Sequence, residues 1–195
     1  AGAMLLVAGY AALLAQPWIA YGQGWLLGAD GRPLPSDFAA LRVAGDFALR
    51  GDAGAAYDWS AFNAAVSAFI GSGARHWLGW LNPPIFLLVV APLALLPFQT
   101  AGFVWLGASG AAYLAAARHV FGSSAALLFA LAAPAAFACV AKGQSGFLSA
   151  ALLGFGLTLP DRRPILAGLC IGLLAYKPQL GLVLPVLLAA GGHWR

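Results

Sequence analysis

Residues 84–117 read PIFLLVVAPLALLPFQTAGFVWLGASGAAYLAAA and contain no charged side chain. A helix of about 20 mostly apolar residues is long enough to cross a bilayer, and this stretch exceeds that length. Because proline interrupts helices, Pro92 and Pro97 divide it into runs at 84–98 and 100–117. Similar runs on both sides predict an all-α membrane protein, a multi-span helical bundle. These other runs cover residues 4–21, 124–141, 146–160, 164–176 and 179–190.

The amino-acid composition also indicates a membrane protein. Of the 195 residues, 62% are hydrophobic and 8% are charged, and the mean hydropathy is +0.86. A soluble domain carries about a quarter charged residues, so a soluble globular protein is nearly excluded. The net charge of +4 comes from ten Lys and Arg residues, which are too few and too scattered to form the basic stripe of a nucleic-acid-binding protein. Membrane lipids are therefore expected partners, and nucleic acid is not.

The acidic residues are concentrated in one polar segment, at residues 23–82. All six are Asp, and Glu is absent. The five that lie in this segment are Asp30, Asp37, Asp46, Asp52 and Asp58. We interpret the segment as a large outer loop within a single membrane domain that covers residues 1–195.

Two short juxtamembrane helices are predicted within this loop. Ser36 is a typical N-cap residue, so a helix is expected over 37–50, where charged side chains recur every four positions. An amphipathic helix of this kind is suited to lying on the membrane surface. Asp58 predicts the start of a second helix, which ends near Ile70. Trp77 and Trp80 follow and are expected in the headgroup region, where tryptophan is enriched.

The placement of positive charge predicts the orientation of the chain, because basic residues mark the cytoplasmic side of a membrane. The hairpin tips that carry Lys142 and Lys177 then lie outside, together with the 23–82 loop. With this orientation the run 84–98 cannot make a full crossing, and we interpret it as a re-entrant or membrane-surface helix. The alternative is a true span with the charge rule broken at one point. The basic residues assigned to the inside are Arg118, Arg162, Arg163 and Arg195.

Lys142 and Lys177 are the only lysines, and both lie between apolar runs. An unpaired charge in such a place is costly, so each is expected to meet an anion. The candidate anions are a loop Asp, a lipid headgroup and a lipid-linked phosphate. Asp37 has two interpretations, as a first-turn residue favoured by the helix dipole or as a general base that faces the membrane.

Other candidate polar residues also have two interpretations. Asp58 is either a plain N-cap or a group that takes part in the chemistry, and Gln144 either satisfies backbone groups at a helix break or contacts a substrate. Gly168 and Gly172 form a GxxxG pair, which is expected to let helices approach closely. Because no metal-ligand spacing, P-loop, GxSxG or CxxC motif occurs, neither a metal nor a cofactor is expected.

Several short motifs occur in an order that is more specific than any one of them. They are Ser36-Asp37-Phe38, Gly51 through Asp58, Asn82-Pro83-Pro84, Ala91 through Phe98, Lys142-Gly143-Gln144, Ala167 through Leu174, and Tyr176-Lys177-Pro178-Gln179. Taken together, their order and spacing resemble glycosyltransferase family 87, within the C-type integral membrane glycosyltransferases. Leu41 and Asn82 stand where that family usually has an aromatic residue and a tyrosine.

The resemblance implies a hexosyltransferase that moves a mannose-like sugar from a polyprenyl-phosphate donor to a hydroxyl of a glycan or lipid acceptor, with inversion. It implies Asp37 as the catalytic base, and Lys177 and Lys142 are the expected ligands of the donor phosphate. The implied location is a bacterial-type plasma membrane, integral and multi-pass, with the active face extracytoplasmic. The chain is then expected to be the N-terminal half of a longer enzyme. The expected substrate-binding residues are Gln144, Gln179, Asp58 and Asn82.

Two other functions are consistent with an apolar, helical chain. A membrane transporter or lipid flippase without catalysis is one, since broken helices with central polar residues are typical of transporters. The ionisable residues of this sequence, however, cluster in the predicted outer segments rather than at the middle of the membrane. The other is an inactive remnant that assembles with further membrane proteins.

Overall fold

A computed structural model describes residues 2–21, 24–71, 79–181 and 183–192. These residues form α-helices, two 3₁₀ turns and an isolated β-bridge between Leu27 and Pro33, so the all-α prediction is confirmed. The 3₁₀ turns cover Ala53–Tyr57 and Leu174–Tyr176. The helices are α1 (Gly2–Tyr21), α2 (Asp37–Leu49), α3 (Trp59–Ile70), α4 (Ile85–Ala94), α5 (Phe98–Phe121), α6 (Ala125–Ala132), α7 (Pro134–Lys142), α8 (Gly146–Thr158), α9 (Pro164–Leu173), α10 (Pro178–Gly181) and α11 (Leu184–Ala190).

Both predicted N-caps in the polar loop are confirmed. The Ser36 hydroxyl accepts a hydrogen bond from the backbone N–H of Ala39 at 3.2 Å, and α2 begins at the next residue. The Asp58 carboxylate accepts one from the N–H of Ala61 at 2.7 Å and starts α3. In each case the side-chain oxygen pairs with an N–H that has no partner within the helix. The polar loop thus fixes where both helices begin.

The α2 helix is a core element and not a one-sided surface helix. Its residues are buried on several faces, because α4, α3 and the Ala53–Tyr57 turn all pack against it. The approach of α4 is very close: a Cβ atom at Gly45 would lie 2.6 Å from the carbonyl oxygen of Val90. The prediction of a helix with a single buried face is therefore wrong, whereas its position at the membrane surface stays a prediction. Besides Asp37, the charged residues of α2 are Arg42 and Asp46, which pair at 2.6 Å. Arg50 follows the helix directly and lies over the Phe47 ring.

A second group of packed helices consists of α5, α8 and α9. Two glycines of α8 allow the contacts: Gly154 faces Ala116 of α5, and Gly156 faces Ile171 of α9. Gly168 and Gly172 have no atom within 4 Å of an added Cβ, so the predicted GxxxG pair makes no close helix contact among the described residues. The small residues were the right signal for helix packing, but the contacts form at a different pair of glycines.

The helix lengths limit what can cross a membrane. Among the described residues, α5 is long and apolar enough to span. A second span results only if α6 and α7 are counted as one, and they are bent by 60° at their junction. The other apolar helical stretches, among them Gly2–Gln16 of α1, have 10–17 residues and are shorter than a span requires. At about 1.5 Å per residue, the ten residues of α4 extend for roughly half of the ~30 Å hydrocarbon core.

The end of the polar loop is packed inward. Trp80 is 5% exposed, its indole N–H donates to the Tyr57 hydroxyl at 3.2 Å, and its ring stacks on Phe86. An aromatic and a hydroxyl partner within the chain thus enclose Trp80, and its expected place in the headgroup region stays a prediction; Trp77 lies outside the described residues. This packing brings the segment 79–82 against the start of α2.

Candidate functional site

A cavity of about 300 Å³ lies where four parts of the chain meet. They are the start of α2, the segment 79–82, the turn between α7 and α8, and the turn before α10. Four of the residues predicted from the sequence contribute to its wall: Asp37, Asn82, Gln144 and Lys177. The other lining residues are Ala40, Leu41, Gly79, Trp80, Leu81 and Ser145. Residues far apart in the sequence thus form one polar cavity.

A larger cavity, of about 610 Å³, lies among α5, α6 and α8. Its wall is formed almost entirely by alanine, valine, phenylalanine and glycine, and the hydroxyls of Tyr113 and Ser123 are its only side-chain polar groups. It contains no acid, base or amide to act on a substrate. The smaller cavity is therefore the candidate site, because it combines a carboxylate, an ammonium group and two amides.

Asp37 is positioned by the N-terminus of α2. It is the first residue of the helix, directly after the Ser36 cap, and it is half-buried. The partial positive charge at a helix N-terminus attracts a carboxylate. The carboxylate also faces the cavity, so the first-turn role and a chemical role are compatible at this residue.

Lys177 is positioned by a break between helices. Its backbone N–H donates to the carbonyl of Leu174 at 2.9 Å, which closes the 3₁₀ turn before α10, and its ammonium group lies 5.8 Å from the centre of the Tyr176 ring. Partial burial lowers the pKa of Lys177, and the acidic groups of Cys139 and Asp37 act in the opposite direction. A half-buried cation close enough to be influenced by Asp37 favours an anionic ligand in this cavity.

The turn that carries Gln144 is held by two indoles. Gly143 ends α7 with a φ of +66°, a left-handed conformation that favours glycine. The Trp25 indole donates to the carbonyl of Val140 at 2.6 Å, and the Trp105 indole donates to that of Gly143 at 3.2 Å. Both bonds cap the end of α7 from distant parts of the chain. The exposed Gln144 side chain is thereby presented at the cavity from a fixed backbone.

The segment that carries Asn82 is held by a tyrosine. The Tyr57 hydroxyl donates to the carbonyl of Asn82 at 2.9 Å and accepts from the Trp80 indole. One hydroxyl therefore fixes both ends of the segment 80–82. Sequence reasoning missed Tyr57, Trp25 and Trp105, because their partners lie 23 to 115 residues away and no local pattern signals such contacts.

Three other predicted site residues lie outside the lining of the cavity. Lys142 is the last residue of α7 and is exposed, and Gln179 is exposed on α10. Asp58 is exposed as well, and one of its oxygens is used as the α3 cap. The structure thus separates them from the group formed by Asp37, Asn82, Gln144 and Lys177.

The cavity has the groups that a transfer reaction at an anionic centre requires. A carboxylate can accept a proton from a hydroxyl, and a fixed ammonium can stabilise negative charge as it develops on a leaving phosphate. Side-chain amides both donate and accept hydrogen bonds, which suits sugar hydroxyls.

Comparison with known proteins provides the family. The model of glycosyltransferase family 87 matches residues 80–195. No curated protein and no solved structure matches the chain. The matched part includes three of the four predicted residues that line the cavity, Asn82, Gln144 and Lys177, while Asp37 precedes it. Because the match covers more than half of the chain, the protein belongs to glycosyltransferase family 87 and is a glycosyltransferase.

Proposed function

We propose that this glycosyltransferase moves a mannose-like hexose from a polyprenyl-phosphate donor to a hydroxyl of a glycan or lipid acceptor, on the extracytoplasmic face of the membrane and with inversion. The observation that carries the proposal is the shared cavity of Asp37 and Lys177. This cavity offers a proton acceptor and a cation to the same substrate, although Asp37 and Lys177 are far apart in the sequence.

Lys177 is the proposed ligand of the donor phosphate. The lipid tail of such a donor partitions into the bilayer, so its phosphate lies near the headgroups. The ammonium group of Lys177 binds that phosphate and stabilises the additional negative charge when the glycosidic bond breaks. Lys142 is exposed and outside the cavity lining, so this mechanism does not use it.

Asp37 is the proposed general base. Its carboxylate takes the proton of the acceptor hydroxyl while the hydroxyl oxygen attacks the anomeric carbon. The bond from that carbon to the phosphate oxygen breaks on the opposite face of the sugar, and the electron pair leaves with the polyprenyl phosphate. A single displacement of this kind inverts the anomeric centre. The amides of Gln144 and Asn82 are placed to hydrogen-bond the sugar hydroxyls.

The proposed membrane arrangement is multi-pass. The α5 helix crosses fully, and the bent α6–α7 pair makes a second crossing. The α4 helix is too short for a crossing and forms a re-entrant or membrane-surface helix, which is compatible with its burial against α2. This arrangement keeps Arg118, at the end of α5, on the cytoplasmic side, as the charge rule predicts for this residue, and the turn between α7 and α8 that lines the candidate cavity on the other side.

Replacing Asp37 with Asn tests the mechanism, since the amide keeps the size of the side chain and cannot act as a base. We expect Asp37→Asn to insert into membranes normally and to lose nearly all transfer of a labelled hexose from a polyprenyl-phosphate donor. The matched control is Asp52→Asn, which makes the same change at an exposed Asp of the same loop that does not line the cavity. Full transfer by Asp37→Asn would exclude this residue as the base.

A further inference from the structure

Tyr176 takes part in a compact group of polar contacts beside the cavity. Its hydroxyl oxygen lies 2.6 Å from Oγ of Ser149 and 3.1 Å from the carbonyl oxygen of Ser145. The Ser149 hydroxyl donates to the same carbonyl, also at 3.1 Å. The three oxygens form a triangle, and the two hydroxyl protons are enough for hydrogen bonds that join all three oxygens. Because Tyr176 is 2% and Ser149 7% exposed, bulk water does not replace a lost bond.

The triangle connects two parts of the cavity wall. Ser145 lines the cavity beside Gln144, and Lys177, which also lines it, directly follows Tyr176. The turn between α7 and α8 is therefore tied, through one tyrosine hydroxyl, to the turn that carries the cation. The two residues that make this contact are 31 positions apart along the sequence, so it joins turns that are not neighbours in the chain.

The aromatic ring of Tyr176 is held independently of its hydroxyl. It stacks on Phe86 with ring centroids 4.2 Å apart and 15° between the planes, and Phe86 in turn stacks on Trp80. A phenylalanine at position 176 keeps this packing and removes only the hydrogen bonds. The effect of the hydroxyl is thus separable by mutation from the stability of the core.

We propose that Tyr176 is a positioning residue, whose hydroxyl holds Lys177 where its ammonium group meets the donor phosphate. This inference rests on the proposed function, because it assigns a task to Lys177 that the proposed function defines. Without the hydroxyl, Lys177 keeps its charge, but the turn that carries it is no longer tied to Ser145. A displacement of about 1 Å in a positioned group costs up to about 100-fold in rate.

The test compares the binding of a polyprenyl phosphate with that of the matching polyprenol to the protein in lipid nanodiscs. The ratio of the two affinities isolates the contribution of the phosphate, because the tail is common to both ligands. We expect the wild-type protein to favour the phosphate and Tyr176→Phe to reduce that preference about tenfold. Lys177→Ala should remove the preference. Adding Tyr176→Phe to Lys177→Ala should then change nothing further, because the hydroxyl acts through Lys177.

Tyr113→Phe is the matched control. It removes a tyrosine hydroxyl that donates to a helix carbonyl, that of Ala130 at 3.1 Å, in the apolar cavity. We expect it to leave the phosphate preference unchanged. The positioning role would be overturned if Tyr176→Phe kept the wild-type preference for the phosphate. It would also be overturned if Tyr176→Phe reduced this preference equally in the wild-type protein and in Lys177→Ala. A wild-type protein without any phosphate preference would instead contradict the proposed function itself, so the two failures are distinguishable.

Discussion

Lys177 is the residue whose protonation reports most directly on the candidate site. Partial burial lowers its pKa below the ordinary 10.5, and the acidic groups of Cys139 and Asp37 offset this in part. An ammonium group is charged below its pKa and neutral above it. Binding of the donor phosphate should therefore be complete at neutral pH and weaken as the pH rises through this lowered value, earlier than for an exposed lysine.

The pH dependence of kcat/KM for the donor measures this prediction, because it reports groups of the free enzyme. Lys177→Arg is the informative variant, since a guanidinium stays charged over the accessible range. We expect its profile to lose the alkaline fall, at some cost in the absolute rate because the guanidinium has a different shape. The same alkaline fall in Lys177→Arg would assign the titration to another group.

Single residues of the cavity could be predicted from the sequence where a simple physical rule applied. Lys177 was found because a cation between apolar runs needs a partner, and Ser36 because it precedes an apolar periodic segment. The position of Asp37 as the first residue of α2 follows from that cap. The roles of Tyr176 and Tyr57 could not be found in this way, because each hydroxyl bonds to a segment that only the tertiary fold brings near.

At the scale of the elements, the close contact between α2 and α4 gives a stability prediction. A Cβ atom at Gly45 would meet the backbone of Val90, and backbone cannot move aside as a flexible side chain can. We expect Gly45→Ala to destabilise the protein by ~1–3 kcal/mol through overpacking, although alanine is the better helix former. Unfolding of the detergent-solubilised protein measures the change.

Gly107→Ala serves as the control for this prediction. Gly107 also lies within a helix, α5, but no atom lies within 4 Å of an added Cβ. The substitution there should leave stability unchanged or raise it by up to about 1 kcal/mol. Equal effects at the two glycines would show that helix propensity, and not the contact with α4, decides the outcome.

The boundaries of most elements followed from the sequence, but the breaks within two runs did not. One of these runs, 179–190, contains the separate helices α10 and α11. The helix predicted over 37–50 is Asp37–Leu49, because the Ser36 cap and Gly51, with its φ of +75°, act locally. The run 124–141 was predicted as one unit but is two helices. Its chain is extended at Ala133, since Pro134 disfavours a helical conformation in the residue before it.

At the scale of the whole molecule, the proposed orientation makes a labelling prediction. If α4 re-enters or lies on the surface, the start of α5 is on the extracytoplasmic side, and a cysteine at the exposed Thr100 should react with an impermeant maleimide added from outside to intact cells. The native Cys139 and Cys170 are buried and should contribute little labelling. Reaction of Thr100→Cys from the cytoplasmic side alone would require α4 to cross fully.

The cavity itself is a property of the whole molecule, since its lining comes from the loop before α4 and from turns in the family-matched part. The sequence supplied the candidate residues, but it also placed Lys142, Gln179 and Asp58 among them. Which of these polar residues come together depends on how α2 packs on α4 and on where α7 ends. No local pattern determines that packing.

The proposed mechanism is tested by the binding and transfer of a labelled polyprenyl-phosphate mannose by Asp37→Asn and Lys177→Ala, prepared in parallel with the wild-type protein. We expect Asp37→Asn to bind the donor without transferring the sugar, and Lys177→Ala to fail already at donor binding. Full transfer by Asp37→Asn, or undiminished donor binding by Lys177→Ala, would contradict the mechanism.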